Sequence, residues 1–111
     1  MPIISSQASH QTVITTFEVN PGTCQDLMDR LTVAYDEFIS KQPGFVGAGL
    51  HVNDAQTRIA NYSQWARRED FLAMLRSDHM RDVNRDLTML CRSFEPVMYD
   101  VVHSLDAKSE S

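Results

Sequence analysis

The sequence has no apolar run near the roughly 20 residues that a membrane-spanning helix needs. Its opening, "MPIISSQASHQT", has neither a basic start nor a long apolar stretch and does not read as a secretory signal. Cysteine is scarce. Cys24 and Cys91 make no disulfide framework, and without an export signal they point to a cytoplasmic protein. Positive charge is in deficit, with 10 Lys and Arg against 15 Asp and Glu. The resulting net charge of −5 argues against a nucleic-acid-binding surface, which would carry a basic patch. No two histidines or carboxylates stand at a metal-ligand spacing, so no metal is expected. Internal repeats and linkers are also lacking. The 111 residues therefore make one domain, small enough that a second subunit would help to bury its core.

What is present is a clear change of period along the chain. "TVITTFEV", 12–19, is rich in β-branched residues and predicts a first strand. "NPGT" follows, and Thr23 with Asp26 resembles a capping box. Leu27, Met28, Leu31, Ala34, Tyr35, Phe38 and Ile39 then recur at helical spacing, predicting an amphipathic helix over 24–41 that "QPGF" ends. "FVGAGLHV" (45–52) and "RIANYSQW" (58–65) read as the arms of a hairpin around the turn "NDAQ". From Arg67 the period is helical again, first through Phe71, Leu72 and Leu75. After a new N-cap at Ser77 or Asp78 it continues through Met80, Val83, Leu87 and Leu90. "FEPVMYDVVH", 94–103, closes the domain as a strand whose Pro96 favours an edge or a bulge. Residues 1–11 and 104–111 are polar tails, which leaves 12–103 as the domain.

The order β-α-β-β-α-β predicts an α+β, ferredoxin-like fold with helices on one face of a four-stranded antiparallel sheet. Strict alternation puts Val46, Ala48, Leu50 and Val52 on the uncovered face, where a second copy would cover them in a homodimer. It puts Phe45, Gly47, Gly49 and His51 on the other face, where the glycines leave room for a large group and His51 would line a pocket. "RIANYSQW" mixes polar and apolar groups on both sides. Ile59, Asn61, Ser63 and Trp65 are expected to look into a pocket beneath the helices, and Arg58, Tyr62 and Gln64 toward the partner. Tyr62→Asp should then weaken the dimer and Trp65→Ala should weaken ligand binding. A few polar groups in an apolar cleft make a typical small-molecule site. The same residues equally suit a core tryptophan and a satisfied buried amide. His79, at a helix start, would be held neutral there and suits either a general base or an exposed position.

"QPGFVGAGLHV" followed by "IANYSQWARREDFLAMLRSDHM" resembles the antibiotic biosynthesis monooxygenase family. The shared order is Pro-Gly-Phe, a strand ending in tryptophan, a short charged helix and a further helix. The resemblance implies a dimeric α+β barrel. It also implies oxidation of a polyaromatic phenol or anthrone to a quinone by dioxygen, with no flavin, haem or metal. Asparagine and tryptophan carry over as catalytic groups to Asn61 and Trp65, and an arginine to Arg85. Arg81, Arg85, Thr88 and Arg92 share one polar helix face, which is equally the pattern of a solvated surface. Where a relative has an aromatic hydroxyl, this chain has Phe71. Trp65, Phe71, Met74, Met80 and Met98 would supply a flat, adaptable wall for substrate, joined by Ser63, His79 and His51.

Two rivals follow from the same fold. Relatives that bind or degrade haem would place a ligating histidine at or near Asn84 and an asparagine near Thr15, and both are missing. A non-catalytic dimer that binds an aromatic metabolite remains open. RNA recognition shares the element order but needs exposed aromatic and basic residues on the open sheet face. "FVGAGLHV" has one aromatic and no lysine or arginine, so that function is set aside.

Overall fold

The computed structural model describes residues 10–105 and 107, so most of both tails lies outside the described residues. The chain runs β1 (Gln11–Glu18), α1 (Pro21–Glu37), a single 3-10 turn (Ile39–Lys41), β2 (Phe45–Val52), β3 (Arg58–Trp65), α2 (Arg68–Leu75), α3 (Asp78–Thr88) and β4 (Ser93–Tyr99). The strands form one antiparallel sheet in the order β2-β3-β1-β4, which is the ferredoxin-like arrangement. Pro96 sits on the edge strand β4, where its missing N–H costs no central ladder bond.

Local chemistry sets the element ends. α1 starts earlier than the Thr23 box predicts, because Pro21 takes the first helical turn behind Asn20, where its fixed φ suits the helix. Ser77 caps α3, its Oγ accepting from the Met80 backbone N–H at 3.3 Å. β4 stops at Tyr99 and does not run on to 103.

The helix-facing side of the sheet carries Val13, Thr15 and Phe17 from β1 beside Ile59, Asn61, Ser63 and Trp65 from β3. Apolar groups at the two ends of these rows nucleate two core clusters. One gathers Val13, Ala34, Ile39, Trp65, Phe71, Met74 and Met80. The other gathers Phe17, Val19, Cys24, Leu27, Leu31, Ile59 and Leu87. The polar groups Thr15, Asn61 and Ser63 fall at the seam between them, and all three are buried.

β2 departs from the alternation expected of it. Phe45 pairs with Trp65 and Gly47 with the neighbouring Gln64, so Val46 is an extra residue in a β-bulge. Beyond the bulge, Ala48, Leu50 and Val52 pair with Ser63, Asn61 and Ile59 and share their helix-facing side. Gly47, Gly49 and His51 face the other way. The apolar patch expected on the open face is therefore on the covered one. The open face carries a different row, one residue per strand: Gly49, Tyr62, Ile14 and Val97.

Gly44, between the 3-10 turn and β2, has φ of +82°, and a Cβ there would run into the Asp70 side chain of α2. Gly44→Ala is expected to lower the unfolding free energy by about 2–3 kcal/mol, combining left-handed strain with that collision. Urea unfolding checks this, and a loss under about 0.5 kcal/mol would mean that Asp70 yields freely.

Candidate functional site

The seam between the clusters holds a partly open cavity of about 50 Å³. β1 and β3 supply Thr15, Asn61 and Ser63, α1 supplies Ala34 and Tyr35, and α2 and α3 close it with Phe71, Met74, Met80 and Asn84. Cross-strand pairing sets Asn61 directly beside Thr15 on one side and Leu50 on the other. An amide buried there without partners would be costly. Tyr35 meets that need from α1. Its hydroxyl donates to Asn61 Oδ1 at 2.9 Å and lies 2.7 Å from the Nδ2 group, which donates to it.

Burial raises the pKa of the Tyr35 phenol, with hydrogen bonds to Asn61 and Ser63 pulling less strongly the other way. The phenol therefore stays protonated. The linkage to stability has a definite sign: an unfolded tyrosine ionises near pH 10.0, before the folded one, so stability falls as pH rises through and beyond that value. Tyr35→Phe should flatten this alkaline decline in urea midpoints. Equal slopes for the two proteins would remove the buried phenol as its cause.

Among the described residues, no histidine, cysteine, aspartate or glutamate lines the cavity, and no group of three such side chains is arranged to hold a metal ion. Asn84, the position considered for the haem-ligating histidine, and Thr15, that considered for the accompanying asparagine, both line it, and neither carries the residue that haem-binding relatives would need. The lining therefore does not fit a histidine-ligated haem. What remains is an apolar, uncharged pocket whose polar groups are two amides, Asn61 and Asn84, one phenol and small hydroxyls, a lining suited to hydrogen-bonding an oxygen on an otherwise flat, apolar molecule.

The residues singled out from the sequence divide in two. Asn61, Ser63, Phe71, Met74 and Met80 come together at the cavity. Trp65 lies behind it, fully buried, with Nε1 donating to Ser63 Oγ at 3.3 Å and edge-on contacts to Phe45 and Phe71. Met98 packs against the same cluster without lining the cavity. Three further residues lie away from the cavity. Arg85 points to solvent beside Asp82, its side chain 75% exposed, because it lies on the polar face of α3. His51 is exposed on the opposite side of the sheet, since the β2 bulge turns it away. His79 stacks on Phe38 with ring centroids 4.1 Å apart and lines a groove between α1 and α3, outside the cavity. Tyr35 is the residue that the sequence reading missed. It was placed in the apolar stripe of α1, and only the polar step at Asn61 in the facing strand hinted that its hydroxyl had a use.

Comparison with known proteins agrees with this architecture. Residues 11–86 match the family model described as antibiotic biosynthesis monooxygenase. The chain is 30% identical over 116 residues to the tetracenomycin-F1 monooxygenase of Streptomyces glaucescens, covering 98% of this chain and 96% of that one. Among solved structures it resembles the monooxygenase from the gene ActVA-Orf6 of Streptomyces coelicolor, solved in complex with nanaomycin D. That match has a TM-score of 0.77 and 20% identity and covers 94% of this chain and 96% of that one. It also resembles SnoaB, a cofactor-independent oxygenase from Streptomyces nogalater, with a TM-score of 0.73 and 20% identity over 90% of this chain and 100% of that one. A buried asparagine facing an uncharged cavity in a ferredoxin-like frame, a family match over most of the domain and a relative of nearly equal length lead to one conclusion: the chain belongs to the antibiotic biosynthesis monooxygenase family.

Proposed function

We propose that this protein is a cofactor-independent monooxygenase that oxidises a polycyclic phenol or anthrone-type substrate to a quinone with dioxygen, acting as a homodimer in the cytoplasm. The observation that carries this reading is the Asn61 amide, presented in a cavity with no charged group in its lining. A neutral donor in a dry, apolar site is suited to an oxygen atom on which negative charge develops.

Dioxygen is a triplet, so its direct two-electron reaction with a singlet molecule is spin-forbidden, and most enzymes use a metal or flavin to pass single electrons. A delocalised carbanion can pass them itself. An anthrone loses a proton from its central methylene, and the charge spreads onto the carbonyl oxygen, where Asn61 Nδ2 would donate. The anion gives one electron to dioxygen, and the resulting radical and superoxide combine through a new C–O bond. The peroxide takes up a proton and loses water, leaving the second carbonyl. One dioxygen thus yields one quinone oxygen and one water. The cavity lining has no carboxylate or imidazole to take the first proton. Water or a phenolate on the substrate is left as its acceptor.

The open face supports the dimer reading, because Tyr62, Ile14 and Val97 form a half-buried row that no helix covers. The thiols of Cys24 and Cys91 are unpaired, which fits a reducing compartment. Dioxygen uptake with anthrone, using protein freed of metal and flavin, should run well above the spontaneous rate. Uptake at the spontaneous rate with tight binding of the aromatic would favour the non-catalytic reading instead.

A further inference from the structure

We propose that the rings of the substrate occupy a cleft between α1 and the edge strand β2, and that Tyr35 is the movable partition between this cleft and the Asn61 cavity. The inference rests on the aromatic-substrate reading above. A cavity of about 50 Å³ is smaller than the ~150 Å³ that accommodates a single benzene ring, so a polycyclic ligand does not fit inside it.

Three hollows share lining with the cavity, and the one reached past Phe94 is lined by the charged Glu18, Arg58 and Glu95. The one between α1 and α3, about 140 Å³, shares Ala34 and Leu87 with it and is ringed by Arg30, Glu37, His79 and Asp86. A flat apolar ring there would strip water from charged groups and give nothing back. The third, about 350 Å³, has apolar walls of Phe45, Ala48 and Leu50, with Thr32 and Ser40 as polar neighbours and Asp36 as its single charged group. It is shallow and open to solvent, so a flat ring system could enter it without displacing any element. Tyr35 is the one residue common to the lining of this cleft and of the cavity.

The chemistry at that partition is suited to exchange. The Tyr35 hydroxyl takes one N–H of Asn61 Nδ2 and one lone pair of Oδ1, and a ligand coming from the cleft meets the Tyr35 ring before it reaches the amide. Swinging the ring aside joins cleft and cavity and breaks two neutral hydrogen bonds, each of modest net strength. A ligand oxygen arriving from the cleft accepts from Nδ2 and replaces the contact that Tyr35 gave up. The β2 bulge is what turns Ala48 and Leu50 toward this cleft, so the departure from alternation builds its wall.

The test uses a dihydroxyanthraquinone, a product-like probe, with quenching of Trp65, the chain's single tryptophan, followed by stopped flow. Tyr35→Phe, which loses the hydroxyl that holds the ring to Asn61, should associate about 5-fold faster than wild type. Ala48→Phe, which fills the cleft, should weaken binding by about 10-fold or more. Ser40→Phe blocks the same cleft from an exposed position, so it separates blockage from misfolding. If wild type binds the probe and both filled variants bind it equally well, the cleft proposal is overturned while the aromatic reading stands. An unchanged or slower association of Tyr35→Phe overturns the partition. Failure of wild type to bind the probe removes the aromatic reading and this proposal together.

Discussion

Asn61→Ala is expected to lower kcat for dioxygen-dependent oxidation of anthrone by about 10²- to 10³-fold, with a much smaller change in KM. The asymmetry follows from where the amide acts. In the ground state the substrate oxygen is a neutral carbonyl and needs little help. As the methylene proton leaves, charge accumulates on that oxygen inside a cavity where water is too sparse to solvate it. A fixed donor is then worth far more than it would be in water. Stability should change little by comparison, because the Tyr35 hydroxyl loses its Asn61 bonds but keeps Ser63 as a partner, a loss of about 1 kcal/mol. Steady-state kinetics on folded protein decides the matter. A variant that keeps more than about a third of wild-type kcat would remove Asn61 as the anion's donor.

Trp65→Ala should act mainly on stability, by about 3–5 kcal/mol, a large part of the roughly 5–15 kcal/mol that holds a domain of this size together. The indole is fully buried between Phe45 and Phe71, and its N–H is satisfied by Ser63. Truncation would open a void at the centre of one core cluster and leave Ser63 without that contact. Chemical unfolding followed by circular dichroism measures the loss, since the variant has no other tryptophan to report by fluorescence. Trp65→Phe keeps most of the volume and separates packing from ligand contact. It should bind an aromatic probe within about 3-fold of wild type. A much larger loss of affinity in folded Trp65→Phe would place the indole in direct contact with the ligand and return it to the role that the family resemblance implies.

The strands expected over 45–52 and 58–65 are those observed, because "QPG" precedes the first and the turn "NDAQ" separates the two. Ser77 was legible as a cap for the same reason: a small hydroxyl precedes a periodic apolar stripe. The side assignment of β2 was not legible, since a bulge adds one residue without any change in the kind of residue that precedes it. Val46 and Gly47 look like ordinary members of an alternating strand until the partner's register is known. Arg85 could be placed on a polar helix face but not relative to the cavity, because that depends on the rotation of α3 over the sheet. Tyr35 was concealed by its own ring. An aromatic at an apolar helix position satisfies the core pattern, and periodicity carries no information about the atom at its tip.

The bulge has a consequence beyond the pocket. Among the described residues, β2 and β4 each pair with only one neighbouring strand, so both are borders on which another chain could add a strand. Each border carries an interruption, Val46 in the bulge on one side and Pro96 on the other. Such irregularities discourage the end-to-end joining of sheets into open-ended polymers. Association through the broad face is finite and closes on itself. A single extra residue in β2 thus shapes a wall for a small molecule and also steers self-association away from fibrils.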